Sequence, residues 1–305
     1  MKKISSKSGF VNLVGIPNSG KSTLINKLVG KKISIVSHKV QTTRFCIRGI
    51  CNFNLSSKVK SQIIFVDTPG IFLPKRRLEN SMVSAAWNEL NLTDKAVLIH
   101  DVSKQINNDT KEIINKIFHV KPNIILALNK IDLLPKEILL EKISEIKNLY
   151  NFEEIFLISA KNGSGCDKFV EYLAKKMPYN SFLYDEGTIS DLPQSILASE
   201  ITREKLLKNL NQELPYNLTV ETERWDVNTD SSVIIHQTIY INKQSYKPII
   251  LGKEGKNIKR ISTLARKELE RILDSKIHLF LHIKFKKNWM DDPIRYSSIG
   301  LDFNA

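Results

Sequence analysis

The chain has 305 residues, 42% of them apolar and 26% charged, enough for two ordinary cores and too apolar for an extended disordered polymer. Its longest apolar runs, such as 124–128, are far too short to span a bilayer; Cys46, Cys51 and Cys166 lack metal-ligand spacing and no secretory signal is evident, so they read as reduced thiols in a cytoplasmic protein. The net charge of +14 favours an anionic partner, and residues 243–287 concentrate it, with 13 basic against 4 acidic side chains.

In chain order, short apolar runs at 10–14, 62–66, 96–99, 124–128 and 155–158 alternate with helical patterns. Two such helices are 21–29, closed by Gly30, and 136–149, opened by Pro135. Continuous β-branched and leucine-rich runs of four or five residues are the pattern of strands buried on both faces, so residues 1–180 are expected to form an α/β domain with a mostly parallel sheet. Prolines, Gly187 and polar residues then break the rhythm, and a linker is expected at 181–194. The rest, 195–305, predicts a smaller α+β domain: a helix at 194–211, strands at 217–225 and 233–241, a short apolar turn at 248–251, a GKEG loop, a helix at 256–273 and a strand at 277–285.

Two glycine–lysine loops carry the chemistry. The first, Gly15, Ile16, Pro17, Asn18, Ser19, Gly20, Lys21 and Ser22, fits GxxxxGK[ST] between a strand and a helix, with Thr23 following. Its glycines let backbone N–H groups approach phosphates at a helix N-terminus. Lys21 is placed to reach the β- and γ-phosphate oxygens, and Ser22 offers a hydroxyl to Mg²⁺. Asp67-Thr68-Pro69-Gly70 ends the strand 62–66, where Asp67 can hold the Mg²⁺ shell and the Gly70 N–H can meet the γ-phosphate.

Asn129, Lys130, Ile131 and Asp132 end the strand 124–128, and Ser159, Ala160 and Lys161 end 155–158. Ligands bind outside the carboxyl ends of strands in such sheets, so all these elements are expected on one rim. The Asp132 carboxylate can accept from the N1–H and N2–H of guanine; adenine lacks those donors, so the expected nucleotide is GTP.

The second loop, Gly252-Lys253-Glu254-Gly255, lacks the Walker spacing but fits GXXG, which in KH domains clamps single-stranded nucleotides. Gly252 and Gly255 permit close approach to a phosphate backbone; Lys253, Lys256 and Lys259 meet its charge; Ile249, Ile250 and Leu251 offer an apolar floor. The order helix, strand, strand, helix, helix, strand is that of a type II KH domain.

GIPNSGKS, DTPG, NKID and SAK resemble the translation-factor-related branch of small GTPases, and Lys39-Val40-Gln41-Thr42-Thr43-Arg44 resembles the switch segment of the Era family, with Val40 at a usual proline. The stretch IILGKEGKNIKRISTLARKELERIL and the tail NWMDDPIRYSSIGLDF are also similar to Era sequences, and the resemblance covers about residues 8–303, leaving Met1–Lys7 unplaced. It implies that Thr42 or Thr43 completes the Mg²⁺ shell, with the pattern favouring Thr43, so that Lys21, Thr43, Asp67 and Gly70 act at the reacting phosphate. Ile71 stands where Ras-like proteins carry a glutamine that orients water, which implies slow intrinsic hydrolysis. Asn18 matches a residue that helps relatives hold K⁺, implying a second cation.

The implied partner is the 3′ end of 16S rRNA during 30S subunit maturation, bound by a monomer. Glu254, where the family commonly has glycine, is expected to trim RNA affinity slightly. The alternative is a division-linked GTPase peripherally associated with the cytoplasmic face of the inner membrane through anionic lipid. Neither the six histidines nor Trp225 and Trp289 show functional spacing, and they read as structural.

Overall fold

The computed structural model describes residues 5–39, 42–210 and 214–305. Expectations resting on residues 1–4, Val40, Gln41 and Asn211 lie outside the described residues. Two compact units emerge. One holds the chain up to Ser34, resumes at Thr43, continues to Asp191 and takes in Ile299–Ala305; the other comprises Ile35–Thr42 and Leu192–Ser298.

The first unit contains β1 (Ser5–Val14), α1 (Lys21–Val29), β2 (Ile47–Ser56), β3 (Val59–Asp67), α2 (Arg77–Leu92), β4 (Lys95–Asp101), α3 (Asn108–Val120), β5 (Ile124–Asn129), α4 (Lys136–Leu149), β6 (Glu154–Leu157) and α5 (Cys166–Lys176). Its sheet has the order β2-β3-β1-β4-β5-β6, with β2 antiparallel to β3 and the other pairs parallel. The expected strands are β1, β3, β4, β5 and β6. β2 went unread because its sequence, IRGICNFNLS, is an edge strand whose outer half alternates half-buried and exposed positions instead of forming one apolar run. Leu98, Leu126 and Leu128 pack with Val14 against Leu90, Ile114, Ile117 and Ile146, fixing the helices on one face of the sheet. The parallel pairing makes the carboxyl ends of β1, β3, β4 and β5 a common rim.

Part of the expected linker packs on this unit. Gln62, fully buried, accepts the Leu183 and Tyr184 N–H groups at 2.9 and 3.0 Å, and the Ile50 N–H donates to the Ile189 carbonyl at 2.8 Å. The C-terminal residues join it as well: Ser81 Oγ donates to the Asp302 carbonyl at 2.6 Å, and the Arg77 guanidinium lies 4.4 Å from the Phe303 ring centroid.

The second unit contains α6 (Gln194–Asn209), β7 (Leu218–Val227), β8 (Val233–Ile241), α7 (Tyr246–Leu251), α8 (Lys256–Leu273), β9 (Ile277–Phe285) and α9 (Pro293–Ser297). β7 and β8 are antiparallel, β8 and β9 parallel. α8 turns Ile261 toward Leu206 and Ile239 and Leu269 toward Ile277, with Ala265 buried between them at the same four-residue spacing. Trp289 is buried and donates to the Asn217 carbonyl, and Trp225 packs partly buried against the core, as structural residues.

Ile35–Thr42 belongs to this unit through α6. Ile35 packs with Ala198 and Ile201, Glu204 accepts the Val36 N–H at 2.8 Å, and the buried Arg203 pairs with Glu200 while donating to the Thr42 carbonyl. A charge as buried as Arg203 requires such partners, so the sequence of α6 holds the segment by electrostatic need.

Candidate nucleotide site and nucleic-acid loop

On the rim of the first unit, the loop after β1 wraps the N-terminus of α1. Gly20 has φ 101°, and a Cβ there would stand 2.2 Å from Asn129 Nδ2, so only glycine lets the loop and the end of β5 meet. Asn129 Nδ2 donates to the Ser19 carbonyl at 2.9 Å, while its Oδ1 accepts the Lys130 and Ala160 N–H groups at 2.8 and 2.9 Å. One side chain thus joins three of the sequence motifs. Ser159 Oγ donates to Asp132 Oδ1 at 2.6 Å, orienting the carboxylate expected to face the base.

Lys21 is only 6% exposed, and its Nζ donates to the Gly15 and Ile16 carbonyls at 2.9 and 3.2 Å. Burial lowers its ammonium to about 8, with Asp67 opposing the shift. Burial likewise pushes the Asp67 carboxyl above its ordinary value, against Lys21 and hydrogen bonds from Ser22, Ser34 and Thr43. Ser22 Oγ donates to Asp67 Oδ2 at 2.7 Å and lies 2.8 Å from Thr43 Oγ1. Three hard oxygen donors therefore converge, and Asp67 Oδ1 is buried with no hydrogen-bond partner among the described residues. That donor set fits Mg²⁺. Thr42 does not join it: its hydroxyl donates to the Lys39 carbonyl at 2.6 Å. The Ile71 side chain is buried in the core.

Two contributors escaped sequence reasoning. Ser34 Oγ donates to Asp67 Oδ2 at 2.8 Å from a loop with no motif. Asp101 ends β4, two residues beyond the expected strand, and accepts the Lys130 ammonium at 2.6 Å. Burial pushes the Asp101 carboxyl up, but hydrogen bonds from Lys130 and Ser103 outweigh it and hold the group below its ordinary value. The strand-end rule that located Asp67 and Asn129 would have located Asp101, had the strand been read to its end.

In the second unit, the GKEG loop joins α7 to α8. Gly252 (φ 73°), Glu254 (φ 54°) and Gly255 (φ 71°) all have positive φ. A Cβ on Gly252 would stand 2.6 Å from Asn257 Cβ, whereas one on Gly255 would meet nothing within 4 Å. Lys253, Lys256 and Lys259 are exposed, and Lys256 pairs with Glu254 at 2.9 Å. Ile250 corrects an expectation: it is fully buried, because the helical turn of α7 directs it into the core. Ile249, 55% exposed, presents the apolar surface beside the loop.

Residues 10–130 match the family described as 50S ribosome-binding GTPase, and residues 213–290 match the KH domain. GTPase Era of Sinorhizobium medicae is 48% identical over 300 residues, 98% of this chain and 95% of that one. This chain belongs to the Era family. GTPase Era of Brucella suis is 47% identical over 297 residues, 97% of this chain and 94% of its own. Among solved structures, an Era variant from Aquifex aeolicus bound to GDP and tetrafluoroaluminate aligns with TM-score 0.89 and 36% identity, over 96% of this chain and 99% of that one. Era in complex with MgGDPNP and nucleotides 1506–1542 of 16S ribosomal RNA aligns with TM-score 0.88 and 35% identity, over 97% and 99%. This Era-family chain is accordingly a GTPase, built from a P-loop GTPase domain with a mostly parallel sheet and a C-terminal KH domain.

Proposed function

We propose that this GTPase is a cytoplasmic, monomeric switch that binds the 3′ end of 16S rRNA and assists maturation of the 30S subunit. The observation that carries the RNA half is the loop before α8, where positive φ at Gly252, Glu254 and Gly255 lifts Lys253 and Lys256 into solvent beside Ile249. A backbone so placed suits close approach to successive phosphates, with Lys259 one helical turn on. The relative solved with nucleotides 1506–1542 supports the choice of RNA.

At the nucleotide, Asp132 reads guanine, Asn18 to Thr23 cradle the phosphates, and Gly70 offers its N–H to the γ-phosphate. Ser22, Thr43 and Asp67 hold Mg²⁺, which when bound supplies positive charge against the phosphate oxygens. Lys21 adds the second fixed charge. The residue after Gly70, Ile71, is aliphatic and packed in the core and cannot orient the attacking water, so intrinsic turnover is slow and responds to K⁺ near Asn18 and to bound RNA.

The test is GTP hydrolysis in KCl, with and without a short single-stranded RNA copying the 16S 3′ end, for the native chain and Lys253→Asp. Stimulation that the variant loses is the expected result. Equal rates in KCl and NaCl remove the K⁺ role. No RNA binding removes the rRNA reading; co-sedimentation with anionic liposomes would then favour a membrane partner. Among the described residues, no helix is long and apolar enough to cross a membrane.

A further inference from the structure

Away from the nucleotide site, the first unit holds a cavity of about 430 Å³ between α3, α4 and the loop after β4. That volume lies in the range of small-molecule sites, roughly 300–1,000 Å³. Lys104, Lys111 and Lys142 line it, and Glu145 is its single acidic lining residue. Among the described residues none of these four belongs to an ion pair, although Lys111 and Lys142 are half-buried. Two other half-buried lysines of the unit have carboxylate partners: Lys95 pairs with Glu153 at 2.7 Å and Lys130 with Asp101 at 2.6 Å. Three cations, two of them partly desolvated, face one hollow against a single carboxylate and create a local positive potential that an anion would relieve.

The cavity is not purely polar. Val102, Ile106 and Ile146 form its apolar floor, continuous with the core. His100 is 4% exposed, with Nε2 3.3 Å from the Lys104 carbonyl, and it brings a ring to the wall. A free inorganic anion would leave that floor uncovered; a neutral apolar molecule would leave the lysines unmatched.

We propose that this cavity binds a small organic monophosphate, its aromatic or apolar body on the Val102–Ile106–Ile146 floor and its phosphate between Lys104, Lys111 and Lys142. The phosphate dianion matches the excess of cations over Glu145, and the site shares no side chain with the residues assigned to GTP. It is independent of the rRNA reading.

Calorimetric titration of the full chain, saturated with Mg²⁺ and GDP so that the phosphate loop is filled, tests it with 1-naphthyl phosphate as the probe. Saturable binding is expected, at least about tenfold tighter than that of 1-naphthol or inorganic phosphate. The double substitution Lys111→Glu, Lys142→Glu should weaken the probe by about tenfold or more while GDP affinity and melting temperature hold, which shows that the variant is folded. Lys168→Glu, an exposed reversal on α5, should leave the probe unaffected. Absence of saturable binding, unaltered binding in the double variant, or an equal loss from Lys168→Glu would each overturn the proposal.

Discussion

The two glycine–lysine loops use the same residue types in opposite ways. The first is braced from behind: Lys21 is buried against the Gly15 and Ile16 carbonyls, and Asn129 ties the loop to the end of β5. The second is open: Lys253 and Lys256 stand in solvent, and space surrounds Gly255. A compact polyphosphate needs donors that converge on one point, which requires a loop held rigidly by its surroundings. An extended strand needs a backbone that projects and cations free to follow it. What distinguishes the loops is the packing around them, more than their composition.

The largest effect tests the bracing. Gly20→Ala should weaken GDP binding on the order of 100-fold, since the new Cβ meets Asn129 in a conformation that alanine resists. Titration with a fluorescent GDP analogue measures it, and a loss under about tenfold would mean the loop is not rigidly held. Next, Lys253→Asp with Lys256→Asp should lower RNA affinity by roughly 10- to 100-fold and flatten its salt dependence by about two phosphate contacts, leaving GDP binding unchanged. An altered GDP affinity there would dissolve the contrast between the loops.

The third prediction uses the buried lysine. In the nucleotide-free protein Lys21 loses its proton at about 8, whereas bound phosphates keep it charged. Binding therefore takes up a proton above that pH, so GDP affinity should fall as pH rises through 8, by about tenfold at pH 9 relative to neutral pH. A flat profile between pH 7 and 9 contradicts a desolvated Lys21. The smallest effect belongs to Glu254→Gln, which frees Lys256 from an exposed ion pair worth about 1 kcal/mol or less. RNA affinity should rise only a few-fold, and a larger gain would show that the open loop is more closely coupled than its exposure indicates.

Much of the nucleotide site is legible before folding, because strand-end position and glycine–lysine spacing are local properties. The apolar runs located β1, β3, β4, β5 and β6, and Asp67 and Asn129 followed from their ends. Asp101 was missed by two residues, and β2 was missed because an edge strand alternates instead of running apolar. In the second unit, the helix expected at 256–273 is α8, whose buried Ile261, Ala265 and Leu269 recur every four residues, whereas the inward turn of Ile250 was not visible in a short apolar run.

By itself, the sequence determined the alternation of most elements, the two glycine–lysine loops and the family. These depend on residue type at fixed short spacings, which the backbone converts directly into local geometry. Only the tertiary structure decided that Thr43 rather than Thr42 approaches Ser22 and Asp67, that Asn129 joins three motifs, and that Ile35, Val36 and Thr42 meet α6. It also brought Lys104, Lys111 and Lys142 to one cavity. Each of these is a meeting of residues far apart in the chain, decided by which faces the cores bury and by where desolvated charges find partners.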